Sequence, residues 1–324
     1  MKKVLTMTLN PCIDRTEYYD TFQMGATNIV KKAIEEAAGK GINVAVGLKH
    51  LDIPVKAMGF AYKEDLYKLY GKLDAEQIPY SFVEVDGHLR VNRKLFDESK
   101  SEMTECNEKG MSVTKEDVDK LLKMLGEELK DASILVLSGS VPPGVNKDVY
   151  AVMTTMANEA GVKVILDASG ELLLEGIKAG PYLIKPNKEE FAKTFGKVSE
   201  DIFNELLKMD INYICLSLGC DGAELISRKG IEKRPAIPVA VRSLQGAGDA
   251  MVAGLCKAIY ENSEDKILPA LDKYKDGGID SNEITKEQQN KCGECEFQYK
   301  VSSNGIECEK HNSLILMICL TIYK

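Results

Sequence analysis

Over its first 260 residues the chain alternates short β-branched runs with amphipathic helical stretches, a pattern that admits little besides a mostly parallel sheet with helices on its faces. The clearest buried strands are 133–137, 162–166 and 213–218, each an apolar run with glycine or a small polar residue beyond its carboxyl end. Ligands bind at that end of such sheets. Between the strands, 114–129 and 147–159 carry apolar residues at helical spacing and read as crossover helices. Two early stretches, 16–22 and 80–96, partly alternate apolar and polar residues as half-exposed antiparallel strands do. They predict a small β-flap beside the main sheet, in segments near 15–30 and 80–110. No internal repeat or Gly/Ser-rich linker divides the body, so the flap is an excursion from one domain spanning 1–270.

The balance of 42 basic and 50 acidic residues, a net charge of −8, repels nucleic-acid and anionic-membrane backbones. The opening MKKVLTMTLNPC reaches Asn10 and Pro11 before any apolar stretch suited to a signal peptide, and the apolar run 314–320 is too short to span a bilayer. A soluble, cytoplasmic protein is expected, with no nucleic-acid or membrane partner. Of nine cysteines, five are scattered through the first 260 residues with no pairing rhythm and read as reduced thiols.

Gly246-Ala247-Gly248-Asp249 precedes a stretch in which Met251, Val252, Leu255 and Ile259 recur at helical spacing. Glycines at a helix start leave backbone N–H groups and the positive end of the helix dipole open to an anion. Asp249 then faces the same anion, where a carboxylate accepts the proton of a hydroxyl attacking a phosphoryl group. An ordinary glycine turn with an aspartate cap has the same local pattern. A second glycine pair, Gly39 and Gly41, brackets Lys40 and is followed by Asn43, a set suited to a polyol bearing a phosphate or simply to a capped helix with a solvated lysine. Asp14, soon after the first strand, is placed to accept sugar hydroxyls, although Asn10-Pro11 and Asp14 also make turns.

Taken in order, these motifs resemble the ribokinase-like (PfkB) carbohydrate kinases, in particular the 1-phosphofructokinase and tagatose-6-phosphate kinase branch. The same order continues through Thr8-Leu9-Asn10-Pro11, Arg90-Val91-Asn92 with Lys94, and Thr104-Glu105-Cys106-Asn107 with Gly110. Ser138 to Gly144, Leu166-Asp167-Ala168-Ser169-Gly170, Lys185-Pro186-Asn187-Lys188-Glu189-Glu190 and Ser217-Leu218-Gly219-Cys220-Asp221-Gly222 follow. The resemblance covers about residues 3 to 270 and implies an α/β three-layer sandwich with a mostly parallel central sheet and the flap as a lid.

By that resemblance Asp249 is the catalytic base, and the amides of Gly246, Ala247 and Gly248 stabilise charge on the transferring phosphoryl group. Asp14, Gly39, Gly41 and Asn43 hold sugar hydroxyls, with Ser138 and Gly139 closing that side, and Lys40, Arg90 and Lys94 meet the substrate's existing phosphate. Asn187 and Glu190 organise Mg2+ through water, Lys185 lies near the nucleotide phosphates, and Ser217, Gly219 and Gly222 line the ATP site. The implied reaction is ATP-dependent phosphorylation of a ketohexose monophosphate, fructose 1-phosphate to fructose 1,6-bisphosphate, with tagatose 6-phosphate the alternative substrate. The flap is expected to cover the sugar and pair with a second subunit's flap as a homodimer.

Several positions depart from the pattern. Leu244-Gln245 stands where relatives carry a small hydroxyl residue and a small or apolar one, Ile29 replaces an arginine, and Ala38 a glycine. From Leu271 to Lys324 the chain is charged and unlike the small-residue-rich helices that close the adenine pocket in relatives. A non-catalytic sugar-phosphate-binding protein is the reading if that change abolishes ATP binding. Within this tail Cys292, Cys295, Cys308 and His311 form a C-x2-C and C-x2-H pair, a set that suits tetrahedral Zn2+ around a hairpin turning at Asn304-Gly305; an unrelated extension with chance cysteines is the other reading.

Overall fold

The computed structural model describes residues 2–236, 246–261, 300–302 and 305–307. The chain opens with β1 (Lys3–Thr8), β2 (Cys12–Tyr19) and β3 (Lys32–Ala38), then α1 (Lys40–His50), β4 (Val55–Tyr62), α2 (Leu66–Ala75) and β5 (Tyr80–Val85). β6 (Arg90–Asp97) and β7 (Glu102–Asn107) lead to α3 (Lys115–Glu128), β8 (Ala132–Ser138), α4 (Val149–Glu159), β9 (Lys163–Asp167) and α5 (Gly170–Gly176). β10 (Leu183–Ile184), α6 (Lys188–Phe195), α7 (Glu200–Leu207), β11 (Tyr213–Ser217), β12 (Ala223–Ser227), β13 (Gly230–Arg234) and α8 (Ala247–Tyr260) complete the body.

Nine strands form one sheet in the order β13-β12-β11-β10-β9-β8-β1-β4-β5, parallel from β5 to β11 and antiparallel only at β12 and β13. Strand side chains alternate between its faces. On β1, Leu5 and Met7 enter one core with Leu135 and Leu137 of β8, Leu121 of α3 and Met153 of α4. Val4 enters the opposite core with Ile134, Val136, Ile42 of α1, Leu73 of α2 and Val252 of α8. Two helical layers on one sheet are the expected three-layer sandwich. Each such fully buried Leu or Ile contributes roughly 1.5–3 kcal/mol against leaving it exposed.

Local signals place the crossovers as predicted. Thr114 and Asp117 form a capping box at the start of α3, the Thr114 side chain accepting the Asp117 N–H and the Asp117 carboxylate accepting the Thr114 N–H. α4 begins at Val149, two residues inside the predicted stretch.

The flap is a separate four-stranded sheet, ordered β3-β2-β6-β7, with β2 and β6 parallel and the outer pairs antiparallel. It differs from the sequence expectation in three ways. The 80–85 part of the expected flap is β5, paired in parallel with β4 at the edge of the main sheet. A half-exposed edge strand has the same alternation as a flap strand; here Tyr80 stacks on Tyr70 of α2 with ring centroids 4.6 Å apart. Second, β3 was not expected: Lys-Ala-Ile-Glu-Glu-Ala-Ala has helical propensity, overridden by pairing with β2 and an Arg15–Glu35 ion pair at 2.7 Å. Third, Asp14 lies within β2 rather than at the end of β1, because the chain enters the flap directly after Pro11.

Ile29 is exposed. Gln245 and the proposed zinc ligands Cys292, Cys295, Cys308 and His311 lie outside the described residues, as does most of 271–324. Strands β14 (Lys300–Ser302) and β15 (Gly305–Glu307) pair antiparallel, as the hairpin reading expects of the backbone. Among the described residues no cluster of three His, Cys, Asp or Glu side chains suits a metal ion, and no helix is long and apolar enough to cross a membrane.

Candidate active site

The strand order reverses direction at β1, with β4 and β5 on one side and β8 to β11 on the other. Such a switch point leaves a crevice beyond the carboxyl ends of the strands, because the loops leaving β1 and β8 diverge to opposite faces. A cavity of about 460 Å3 lies there. Thr8 and Asn10 line it from the end of β1, Ser138, Gly139 and Ser140 from β8, and Asp167 from β9. The first turns of α1 and α8 contribute Lys40, Asn43, Gly246 and Asp249, and the flap covers it with Asp14, Arg90, Asn92 and Lys94.

The flap side is a polar cradle. Lys94 Nζ donates to Asp14 Oδ2 at 2.6 Å, while Asn92 Nδ2 at 3.1 Å and Cys12 Sγ at 3.4 Å donate to Oδ1. Arg90 donates from Nε to the Asn10 carbonyl at 3.2 Å and from Nη1 to Asn92 Oδ1 at 3.0 Å, with Nη2 unpartnered among the described residues. Burial and the neighbouring Asp14 carboxylate push the Cys12 thiol up to about 12, so it stays protonated. Three buried cavity atoms, Thr8 Oγ1, Asn10 Oδ1 and Ser138 Oγ, have no hydrogen-bond partner among the described residues. A buried polar atom left unpaired costs roughly 1–3 kcal/mol, which a hydroxylated ligand would recover.

The opposite side is charged. Gly246 takes the left-handed conformation, φ 78°, ahead of α8 and brings no capping side chain, so that among the described residues no side chain caps the first amides of the helix. Asp249 follows in the first turn, 7% exposed, its Oδ2 accepting from Asn43 Nδ2 at 2.8 Å. Burial first, then the nearby Asp167 carboxylate, push Asp249 up to about 6, against the Asn43 hydrogen bond and the cations of Lys40 and Lys185. Asp167, 1% exposed, meets Lys40 Nζ at 3.1 Å and Lys185 Nζ at 3.2 Å. Burial alone would raise the Asp167 carboxyl; Lys185 and Lys40 outweigh it and hold it below the usual carboxylate range.

The residues expected from sequence fall into two sets. Asp14, Gly39, Lys40, Asn43, Arg90, Lys94, Ser138, Gly139, Glu190, Gly246 and Asp249 share the cavity. Gly41 instead packs on β1, where a Cβ would lie 2.5 Å from the Met7 carbonyl oxygen, so its glycine serves close helix–strand approach. Lys185 is buried beside Asp167, behind the cavity lining, with its Nζ close to Gly248. Asn187 and Glu190 form a reciprocal capping box on α6: Asn187 Oδ1 accepts the Glu190 N–H at 2.7 Å and Glu190 Oε2 accepts the Asn187 N–H at 2.9 Å. The Asn187 backbone N–H thus holds one oxygen of the Glu190 carboxylate, whose Oε1 has no partner among the described residues. Ser217, Gly219 and Gly222 stand at the β11–β12 turn, outside the cavity lining. At Gly222, φ is 92° and a Cβ would come 1.9 Å from the Arg234 carbonyl oxygen. Gly222→Ala is therefore expected to cost about 1–3 kcal/mol in a urea-unfolding measurement, with no change expected if the turn adjusts freely.

Sequence reasoning assigned no role to Asp167, Asn10, Asn92 or Cys12. The signal was there for Asp167, which directly follows the expected strand 162–166 at its ligand-binding end. Asn10, two residues past β1, carries the same signal, whereas Asn92 and Cys12 carry none, since it is the flap's fold-back that brings them to the cleft.

The family model of the pfkB family carbohydrate kinases matches residues 7–268. The 1-phosphofructokinase of Escherichia coli (strain K12) is 34% identical over 276 residues, covering 81% of this chain and 86% of its own. The tagatose-6-phosphate kinase of Staphylococcus epidermidis is 30% identical over 283 residues, 84% of this chain and 90% of its own. A tetrameric inhibited form of phosphofructokinase-2 from Escherichia coli superposes with a TM-score of 0.74 at 27% identity, covering 81% of this chain and 88% of that one.

Proposed function

The chain belongs to the pfkB family of carbohydrate kinases, and we propose that it transfers the γ-phosphoryl group of ATP to a hydroxyl of fructose 1-phosphate, giving fructose 1,6-bisphosphate. The observation that carries this reading is Asp249 in the first turn of a helix whose opening amides no described side chain caps, facing across one cavity a flap that carries Asp14 and Arg90. An anion site and a proton acceptor within one helical turn are what phosphoryl transfer to a hydroxyl needs.

In this reading Asp14, Asn43, Gly39, Ser138 and Gly139 hold the sugar, and the orphaned Thr8 and Asn10 oxygens take hydroxyl protons. Arg90 and Lys94 receive the substrate's resident phosphate. The strand ends of β9, β10 and β11 stand in a row, from Asp167 past Lys185 to Ser217, with Asn187 bridged to Ser217. ATP lies along that row, its phosphates toward the amides of Ala247 and Gly248 and its nucleoside toward Ser217, Gly219 and Gly222. The residues fit Mg2+: Glu190 offers one free carboxylate oxygen at the cavity wall, and this ion keeps several waters and binds mainly through substrate phosphates. When bound it neutralises phosphate charge; Asp249 takes the hydroxyl proton, and the flap excludes water.

The test is magnesium-dependent ADP formation with fructose 1-phosphate, tagatose 6-phosphate and fructose 6-phosphate offered separately. Activity is expected with the first; preference for the second would move the reading to tagatose-6-phosphate kinase, as in the Staphylococcus epidermidis relative. Binding of sugar phosphate with no turnover would favour the non-catalytic reading. Arg90→Ala is expected to raise KM for the sugar phosphate about tenfold to hundredfold with a smaller effect on kcat, the loss of a charge-assisted hydrogen bond. Exposed Ile34 on β3 and Met103 on β7 are apolar groups that a second flap would cover in a homodimer, measurable by light scattering.

A further inference from the structure

Lys40 is the first residue of α1, and its stem lies over Gly139, where a Cβ would stand 3.6 to 3.8 Å from three of its side-chain carbons. That path carries the ammonium to the end of β9, to Asp167 Oδ2 at 3.1 Å. One turn further along α1, Asn43 holds Asp249. A single helical turn therefore touches both carboxylates of the catalytic side, while Arg90 and Lys94, the flap cations that line the cavity, are bonded to Asn10, Asn92 and Asp14.

Asp167 has a different relation to its two lysines. Lys185 is sealed, its side chain 4% exposed, and its Nζ would lie 3.5 Å from a Cβ at Gly248. The Lys40 side chain is 41% exposed and open to the cavity. One carboxylate thus anchors a structural cation and a cation that faces the reactants.

We propose that Lys40 serves the transferring phosphoryl group rather than the substrate's resident phosphate, and that Asp167 is the positioning residue that holds it there. This rests on the kinase reading above. The attacking sugar oxygen forms its bond to the γ-phosphorus as the bond from that phosphorus to the bridging oxygen of ADP breaks. The bond pair leaves with ADP, and the hydroxyl proton passes to Asp249. Lys40 keeps its three protons; one bonds Asp167 and the others face the phosphoryl oxygens, where charge is carried through the transfer. Burial alone would lower the Lys40 ammonium, and Asp167 with Asp249 more than offset it, so the group stays cationic.

The deciding experiment compares wild type with Lys40→Met, whose partly exposed position tolerates the change. The expected result is a fall in kcat of about 10²–10³-fold, the usual cost of losing one such donor. KM and the calorimetric Kd for the sugar phosphate should stay within about threefold, because the flap cations are untouched. The acid limb of the kcat profile should also move to higher pH, since a cation facing Asp249 has gone. Asp167→Asn should lower kcat less and move the limb the opposite way, because a neighbouring negative charge is removed. A rise of tenfold or more in the sugar-phosphate Kd of Lys40→Met, or an unchanged kcat, overturns the proposal. A wild-type protein silent with every ketohexose phosphate defeats the kinase reading and this inference with it, a result distinct from an active wild type with an indifferent Lys40.

Discussion

Asp249→Asn is expected to lower turnover by roughly 10²–10⁴-fold while leaving sugar-phosphate affinity nearly unchanged, because the amide keeps the shape and cannot accept the hydroxyl proton. Asn43 can still donate to the new side-chain oxygen. The same group sets a pH limb. With Asp249 at about 6, activity should fall as pH drops through that value and the base becomes protonated. Stability runs the other way. A carboxyl raised in the folded protein above its unfolded value of about 4 favours folding fully below that value, and the contribution is lost as pH rises through about 6. Asp249→Asn is therefore expected to be more stable than wild type above pH 6, by an amount on the order of 1–3 kcal/mol. Steady-state rates and urea melts at two pH values measure both. Full activity in the variant would remove Asp249 from the chemistry; an unchanged stability would mean its carboxylate is solvated.

Lys185→Met is expected to cost about 3–5 kcal/mol, the usual penalty for leaving one partner of a buried pair uncompensated. Asp167 would then keep only Lys40, whose side chain is 41% exposed and so a weaker partner. In wild type Asp167 is held below its ordinary value, so its contribution to stability is present above about pH 4 and is lost as pH falls further. Without Lys185 that loss should begin at higher pH. The double variant Lys185→Met with Asp167→Leu should recover part of the stability, since an apolar pair packs without charge. Thermal and urea unfolding decide it: a cost below about 0.5 kcal/mol would mean the pair is wetter than its 1% and 4% exposures imply.

What was legible in the chain was local. The change between β-branched runs and helical spacing marks the parallel body because each period is a property of a few neighbouring residues. Gly246 to Asp249 reads as an anion site with a base for the same reason: the glycines, the helix start and the carboxylate lie within one turn. The flap strands were harder. The strand β3 has a helix-forming composition, and β5 has a flap strand's alternation, so only their pairing partners tell them apart. The role of Asn187 was legible as a motif, but the capping bond that turns it toward Glu190 is a matter of geometry.

The parallel body and the glycine–aspartate turn that opens α8 are legible in contiguous residues, because each is a local pattern. Which charges meet depends on how the distant segments pack. Lys40 and Asp167 are 127 positions apart and Asn43 and Asp249 are 206 apart. They meet because the sheet order sets β1 between β4 and β8, which brings the first turns of α1 and α8 over the ends of the same strands. Long-range placement of this kind depends on the packing of the whole sandwich, and no local pattern encodes that Lys40 meets Asp167 while Lys94 meets Asp14.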